Sequence, residues 1–393
     1  MERVDVAIVG AGAAGLSLAH RLDRVLPHRS VVLVETPEAA LRSPERTWCF
    51  WEEETGEWDA AVCHRWHALA VQGPDGTTWR SRIHPLVYKM IRSRDFEALV
   101  RGSLQRVRTL HWTVTDIVDG PGEAVLRLRG ADGAQRELAA GLVFDSRPLV
   151  GLPAEGVTLL QHFRGWFVRT DRPRFDSSAA VLMDLRVPQP ERGVAFGYLL
   201  PFDARTALVE YTEFTREVCS DAAYDAALRD YTENLLHLGV FTVTGVEQGV
   251  IPMTSAHLPE RVGHRVFRIG TAGGATRPAT GYTFAGVQRQ TRRIAAALVA
   301  GRFPVGYSAY PARHRFFDAV LLRGLDEGVV DGAEFFATLF RSNPLPRLLR
   351  FLDGSSRPWE ELAIGLGTPV ADMSTALWRQ VRAGRRVASS LPR

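Results

Sequence analysis

"VDVAIVGAGAAGLSLAHRL", residues 4–22, decides the fold. Val4 to Val9 is a short apolar run without helical periodicity, the pattern of a buried parallel strand. Gly10, Gly12 and Gly15 follow as G-x-G-x-x-G, and Leu16, Leu18, Ala19 and Leu22 continue as a helix that stops near Pro27. "SVVLVE" (30–35) is a second apolar strand with Glu35 at its end. Glu35 follows Gly15 at the spacing of an acid that meets a ribose. Each part has a physical task in holding a dinucleotide. Gly10 permits the tight turn, Gly12 lets the backbone approach a pyrophosphate, and Gly15 lets the helix pack closely on the strand. The free amides at the helix start attract phosphate, and Glu35 accepts hydrogen bonds from a ribose diol.

The cofactor is read as FAD rather than NAD. The motif opens the chain, and a second glycine-rich stretch, "RVFRIGTAGGATRPATGYTFAGVQRQTRRIAAALVAG", lies at 265–301. It reads as a strand (266–269), a glycine turn (Gly270, Gly273, Gly274) and a helix from about Gly281 to Ala300. Many flavoproteins return to the nucleotide domain in this way, with an aspartate just after the first glycine. Thr271 stands there instead.

Working outward, the chain leaves the nucleotide fold and comes back. Residues 1–60 and 86–154 are assigned to a Rossmann-type FAD-binding domain, with 263–303 as its return segment. Within it, "YKMIRSRDFEALVRGSL" (88–104) reads as a helix, and "TLHWTVTDIV", "AVLRLRG" and "LAAGLVFDSRP" read as strands. Residues 61–85 supply strands or loops of a second domain. From 155 to 262 the alternating stretches "GWFVRT", "AAVLMDLRV", "VAFGYLLPF", "TALVEYTEF" and "FTVTGVEQGVIPM" predict an antiparallel substrate sheet, interrupted by a helix near 221–239. Residues 304–393 read as mostly helical. The expected fold class is therefore α/β: a Rossmann-type FAD-binding domain, an antiparallel-sheet substrate domain and a C-terminal helical region, the architecture of flavoprotein monooxygenases and reductases.

Composition sets the outer bounds. The 393 residues are 46% hydrophobic and 23% charged, as in folded soluble chains. No apolar run approaches the roughly 18 residues of a spanning helix, so none is expected. The N-terminus runs directly into a strand without a secretory leader pattern. Three cysteines (Cys49, Cys63, Cys219) do not make a disulfide framework and fit a reducing cytoplasm. Lys89 is the only lysine, so the net charge of +4 is carried by arginine. Genomic base composition explains that bias first; a face for anionic lipid or nucleic acid is the alternative.

Several motifs carry weaker signals. Cys63, His64 and His67 lack a fourth ligand at sensible spacing, and no metal is expected. "WEEE" (51–54) reads as a solvated charge run. The basic stretch "RQVRAGRR" has no aromatic platform beside it, and no nucleic acid partner is expected. Residues 334–354, "EFFATLFRSNPLPRLLRFLDG", crowd phenylalanine and leucine among arginines. This is either a core helical hairpin or an element that dips into lipid headgroups. In "ALVEYTEF" (207–214), Glu210 shares a strand face with Leu208 and Thr212. It is either a bland sheet-edge glutamate or an acid kept protonated by an apolar pocket.

Taken in order, "DVAIVGAGAAGLSLA", "RTWCFW", "FDSRP", "FRGWFV", "MDLRVPQ", "YLLPF…ALVEYTEF", "IPM", "GTAGGATRPATGY" and "FFDAVLLRGL" resemble the flavin-dependent lycopene cyclases, in particular the bacterial lycopene beta-cyclases. The resemblance implies an enzyme that turns the acyclic ends of lycopene into beta-ionone rings, with no net redox but with reduced FAD required and NAD(P)H as the reductant. It implies an acid in an "(F/I)-(L/I)-E-(E/D)-T" motif, matched here by "ALVEYT" with Glu210 as the catalytic acid; Tyr211 replaces the usual second acid. Gly10, Gly12, Ala14, Gly15, Glu35, Arg46, Asp145, Gly270, Thr271, Gly273 and Gly281 are expected at the cofactor. Trp166, Phe196, Tyr198 and Asp184 are expected at the substrate, with Phe167 beside them. A protein of this kind is expected in the cytoplasm, peripheral on the inner face of the bacterial membrane, with other carotenoid enzymes as partners. The competing readings are a redox flavoenzyme of the same architecture (an isoprenoid reductase or aromatic hydroxylase) and a non-catalytic carotenoid-binding protein.

Overall fold

The computed structural model describes residues 1–151 and 153–390. In chain order its first part runs β1 (Glu2–Val9), α1 (Ala13–Val25), β2 (Val31–Glu35), β3 (Thr47–Glu53), β4 (Val62–Trp66), β5 (Ala68–Gln72), β6 (Thr78–Arg82), β7 (Leu86–Arg92), α2 (Ser93–Ser103), β8 (Arg108–His111), β9 (Thr113–Val118), β10 (Ala124–Arg129) and β11 (Gln135–Asp145). The second part runs β12 (Thr158–Thr170), β13 (Ala180–Asp184), β14 (Val194–Pro201), β15 (Thr206–Thr215), α3 (Asp221–Asp230), β16 (Phe241–Thr254), β17 (Val266–Arg268), α4 (Phe284–Val299), α5 (Ala312–Asp326), α6 (Gly332–Ser342), α7 (Leu345–Leu352), α8 (Pro358–Leu366) and α9 (Val370–Ser390).

β1 is apolar because it lies between two parallel neighbours, β2 and β11. The sheet continues to β8 on one side and through an antiparallel meander of β10 and β9 on the other, with β17 joining β11 in parallel. Alternation assigns its two faces. Val6 and Ile8 meet Leu16, Leu18 and Leu22 of α1 and Ile294 of α4, whereas Ala7 and Val9 pack on the meander side with Leu126 and Val143.

A second sheet has the order β16-β12-β15-β14-β13-β5-β6. On β15, Leu208 and Phe214 face a large core shared with Phe196, Leu200 and the helices α5 to α7. Val209 and Tyr211 face the other way, toward Trp166, Tyr224 and Leu228. A third, small sheet, β3-β7-β4, contributes Trp51, Tyr88 and Met90 to the large core.

Two sequence expectations change, and one open alternative is decided. Residues 88–92 form a strand, not the start of a helix: β7 pairs with both β3 and β4, and Tyr88, Met90 and Ile91 are buried there. Within "WEEE", Glu53 and Glu54 are exposed as expected, but the Glu52 side chain is not merely solvated. Lys89, fully buried, donates to Glu52 Oε1 at 3.0 Å, to the Glu54 carbonyl at 3.0 Å and to Asp59 Oδ1 at 2.7 Å. These bonds satisfy a charge that could not otherwise sit in a core. Residues 334–354 take the core alternative rather than the lipid one. Phe335, Phe336, Leu339, Phe340, Leu348 and Leu349 are at most 6% exposed, because α6 and α7 pack beneath the second sheet. Among the described residues no helix is long and apolar enough to cross a membrane.

Candidate active site

The nucleotide end of the molecule is built from two glycine turns. Gly10 holds φ at +92°, a conformation that favours glycine. An added Cβ on Gly15 would fall on the Gly10 carbonyl oxygen, so α1 can approach β1 only with glycine there. Gly12 precedes α1 without a side-chain cap, and the first turn holds no acid. The leading amides therefore have no competing anion. A Cβ on Gly12 would meet open space. Ala14 marks where the turns touch: a Cβ on Gly270 would lie 3.0 Å from its methyl. The amide of Gly270 (φ +68°) donates to Gln290 Oε1 at 2.7 Å, and Gln290 Nε2 donates to the Gly273 carbonyl at 2.8 Å. This α4 glutamine braces the second turn, and its internal helical position hid it in the sequence. The Thr271 hydroxyl accepts from Thr276 at 3.1 Å.

Glu35 ends β2, where Arg101 at 2.6 Å, Arg42 at 3.6 Å and His111 at 3.8 Å all address Oε2. Among the described residues Oε1 has no hydrogen-bond partner. Asp145 ends β11 beside Val9, with its carboxylate held by Arg147 at 2.8 Å. Among the described residues two buried oxygens, Gln161 Oε1 and Thr280 Oγ1, lack partners, and a Cβ on Gly281 would fall on Gln161 Oε1. Orphaned polar atoms beside the second turn, an uncapped helix start and a free acid oxygen fit a dinucleotide that bridges both turns.

Glu210 belongs to a row that crosses four strands. It stands opposite Tyr198 of β14 on one side and Gly165 of β12 on the other, and Gly165 stands opposite Glu247 of β16. Residues paired in this way point to the same face of a sheet. Size complementarity fixes the register. Phe163 and Phe167 flank Gly165 on β12, and they stand opposite Gly249 and Gly245 of β16. A Cβ on Gly249 would come within 2.6 Å of the Phe163 ring, and one on Gly245 within 3.4 Å of Phe167. Bulky residues thus meet glycines, and Glu247 is left facing the bare Gly165.

The small sheet roofs this row. Thr47 Oγ1 of β3 donates to Glu247 Oε2 at 2.6 Å. The Tyr88 and Tyr198 hydroxyls are 2.7 Å apart, and Tyr282 from the second glycine turn lies 3.3 Å from Tyr88. Trp51 meets Tyr282 edge-on at 4.7 Å. Glu210 is 7% exposed, and its Oε1 accepts from Thr212 at 2.7 Å. Burial, and next the charge of Glu247, push its carboxyl from the ordinary 4.5 up to about 8, against the Thr212 hydrogen bond. Burial raises Glu247 too, opposed by Thr47 and by the charges of Arg92 and Arg46. Burial also pushes the Cys49 thiol beside them up to about 12 and keeps Tyr88 and Tyr198 as neutral phenols. The site therefore holds two carboxyls, Glu210 among neutral polar and aromatic groups and Glu247 with Arg92 and Arg46 near it.

Of the expected substrate residues, Tyr198 and Phe196 lie on the Glu210 face, as does Phe167. Trp166 and Asp184 do not. Trp166 is one residue from Gly165, so alternation turns it to the α3 side, against Tyr211 and Tyr224. Asp184 is buried on that side too, with Arg186 at 2.6 Å and the Tyr231 hydroxyl at 3.1 Å. Arg46 lies above Gly249, near Glu247; among the described residues its guanidinium has no hydrogen-bonded partner. Cys63 donates to the Met90 carbonyl, His64 stacks on Phe202 and His67 lies by Glu54. Sequence reasoning missed Glu247, although "GVEQG" carried a signal: with glycines at 245 and 249, it is the one side chain on that face of the segment.

A family model described as "Lycopene cyclase protein" matches residues 5–378. The lycopene beta-cyclase of Pseudescherichia vulneris is 29% identical over 290 residues, 71% of this chain and 70% of that protein. The lycopene beta-cyclase of Pantoea ananas is 25% identical over 389 residues, 95% and 97% of the two chains. Among solved structures, a geranylgeranyl bacteriochlorophyll reductase-like protein from Thermoplasma acidophilum aligns with a TM-score of 0.68 at 12% identity, covering 95% of this chain and 98% of that one. The flavin-dependent brominase Bmp2 aligns at 0.63 with 16% identity, covering 97% and 99%. The fold is that of flavin-dependent monooxygenases and reductases, and the chain belongs to the lycopene cyclase family.

Proposed function

We propose that the protein is a lycopene beta-cyclase that closes the acyclic ends of lycopene, with Glu210 as the proton donor and FAD held between the two glycine turns. The observation that carries this reading is the carboxyl of Glu210, raised to about 8 in a buried, aromatic-lined site. An acid of that kind is still protonated at neutral pH and can donate to an alkene carbon. Protonation at C2 of the terminal alkene leaves a cation at C1. The C5–C6 double bond attacks it, and loss of the C6 proton gives the beta ring.

The chain's residues orient the polyene and keep water out. Phe167, Phe196, Tyr198 and Trp51 supply apolar surface, and dryness matters because water would trap the cation as an alcohol. Gly10, Gly12, Ala14, Gly15, Glu35, Gly270, Thr271, Gly273 and Gly281 would hold FAD, with Arg46 and Asp145 as further proposed contacts. Reduced FAD, when bound, supplies negative charge that favours the cation. NAD(P)H is the proposed reductant.

Lycopene is insoluble in water, so a peripheral position on the inner face of the bacterial membrane is part of the proposal. The apolar residues free for it are not those at 334–354 but Phe317 of α5, Trp359, Leu362 and Leu366 of α8 and Trp378 of α9, each at least 36% exposed. A cavity of about 370 Å³ opens among Phe317, Pro358, Leu362 and Leu366. Arg347 lies over the Trp359 ring and Arg382 over Trp378, where cations meet lipid phosphates.

Expression in a lycopene-accumulating host, followed by pigment chromatography, tests the whole reading. Cyclised product from the wild-type chain, and none from Glu210→Gln, is expected. Oxygen or NADPH consumed in proportion to product would select a redox flavoenzyme instead. Lycopene that copurifies with the protein unchanged, with no cyclised product, would select a carotenoid-binding role.

A further inference from the structure

We propose that Glu247 is the second acid–base group of this site, taking up the proton lost in ring closure and returning it to Glu210 across Gly165. The inference rests on the cyclase reading above. Cyclisation is an isomerisation, so one proton enters the substrate and one leaves. The Glu210 O–H bond breaks as the C2–H bond forms; the C1–C6 bond closes; the C6–H bond breaks and its proton goes to the Glu247 carboxylate. Transfer from Glu247 to Glu210 then restores the starting state, with no electrons exchanged.

Three observations carry the assignment. First, Tyr211, where the sequence pattern leads one to look for a second acid, points away from the pocket and donates to Glu213 at 2.9 Å. Second, the Glu210–Gly165–Glu247 register puts the two carboxyls on one face with no side chain from β12 between them. The Glu210 carboxyl leans over that gap: the place where a Gly165 Cβ would sit is 3.5 Å from its Oε2. Glycine at 165 thus leaves room for the Glu210 carboxyl and for the Leu208 methyl, 2.9 Å from the same place, which any side chain there would displace.

Third, burial raises both acids, but only Glu247 has cations beside it to oppose that. Glu210 faces Thr212, Tyr198 and Tyr282, with Cys49 beside both acids, and burial keeps Cys49 and the tyrosines neutral. No cation lowers it. Glu247 receives the Thr47 hydrogen bond and feels Arg92 and Arg46, whose charges outnumber that of Glu45. Two neighbouring carboxyls do not both ionise readily, and the cations on the Glu247 side favour the proton on Glu210. Glu247 is also half-buried on the edge strand β16, whereas Glu210 is enclosed, so exchange with solvent has its natural entry at Glu247.

The test uses the full chain loaded with FAD, as wild type, Glu247→Gln, Glu247→Asp and Glu210→Gln. Cyclisation is measured with dithionite-reduced flavin. In the same samples the infrared band of the protonated carboxyl is titrated against pH, with Glu210→Gln identifying the band. Glu247→Gln should slow cyclisation by on the order of 10² to 10⁴ and shift the Glu210 midpoint to lower pH, because a like charge has gone. Glu247→Asp, which keeps a carboxylate, should recover part of the rate. A Glu247→Gln protein that cyclises at the wild-type rate, or that slows with an unmoved Glu210 midpoint, overturns the proposal. A wild-type chain that cyclises nothing overturns the cyclase reading itself and this step with it. A cyclising wild type matched by Glu247→Gln overturns this step alone.

Discussion

Replacing Glu210 with glutamine should kill catalysis and stabilise the fold, in a way that grows with pH. The amide keeps the shape of the carboxyl and can still accept from Thr212, whose hydroxyl lies 2.7 Å from Oε1. In the wild type the folded carboxyl is at about 8 rather than 4.5. The folded state therefore holds a proton that the unfolded chain releases, and stability falls as pH rises between those values. At about 1.4 kcal/mol per pH unit the loss has a ceiling of about 5 kcal/mol. Sharing the proton with Glu247 trims this, so about 2 to 5 kcal/mol is the expected range. Glu210→Gln escapes the loss. For a chain of this length the gain corresponds to roughly 2 to 6 °C in Tm. The assay compares the melting of wild type and variant at pH 5 and at pH 8, alongside beta-ring product with reduced flavin. The two proteins should melt together near pH 5 and separate at pH 8, with cyclisation lost on the order of 10² to 10⁴. Glu213→Gln is the control: Glu213 lies on the opposite face, bonded to Tyr211, so cyclisation should survive. A Tm difference that does not change with pH, or a Glu210→Gln protein that cyclises normally, would refute the reasoning.

The flavin turns, the buried helices and the exposed apolar face give further tests. Gly12→Val should fold, since open space lies beyond that Cα, but purify without flavin absorbance because its side chain occupies the pyrophosphate approach. Phe340→Ala should cost about 3 to 5 kcal/mol by leaving a cavity under the second sheet, read as a lowered denaturant midpoint and not as altered liposome binding. Changing Trp359, Leu362 and Leu366 together to serine should leave the fold and flavin spectrum intact and abolish sedimentation with anionic liposomes; unchanged sedimentation would remove that face from the membrane.

Local patterns reached the nucleotide turns because every task there is done within a few residues. Gly10, Gly15 and Gly270 are needed for backbone angles and close approaches that the strand–turn–helix order already implies. Alternation likewise placed Glu210 with Leu208 and Thr212 on one face. It could have excluded Trp166, since Gly165 and Trp166 cannot both face the acid. Glu247 and the three-tyrosine cluster were not legible in the same way. Their meeting depends on β16 and β12 pairing in one register and on β7, read as helix, being a strand that carries Tyr88 into the core. The 334–354 segment shows the converse: its composition suits lipid or core equally, and only the packing of α6 and α7 beneath the second sheet decides.

The departure at Tyr211 now has a physical explanation. Successive residues on a strand face opposite sides, so residue 211 points toward α3 whatever its identity. A second acid there would never share a pocket with Glu210. It would instead join Glu213, His162 and Cys219, whose polar atoms already lie close together on that side. Tyrosine fills the position by packing against Trp166 and Tyr224 and by donating to Glu213. The acid pairing that matters to Glu210 runs across strands, not along one, and in this chain Gly165 and Glu247 provide it. On the proposed mechanism, chemistry at Glu210 is therefore insensitive to the loss of an acid at 211 but depends on two residues that lie far from it in the sequence, one on each of the next two strands.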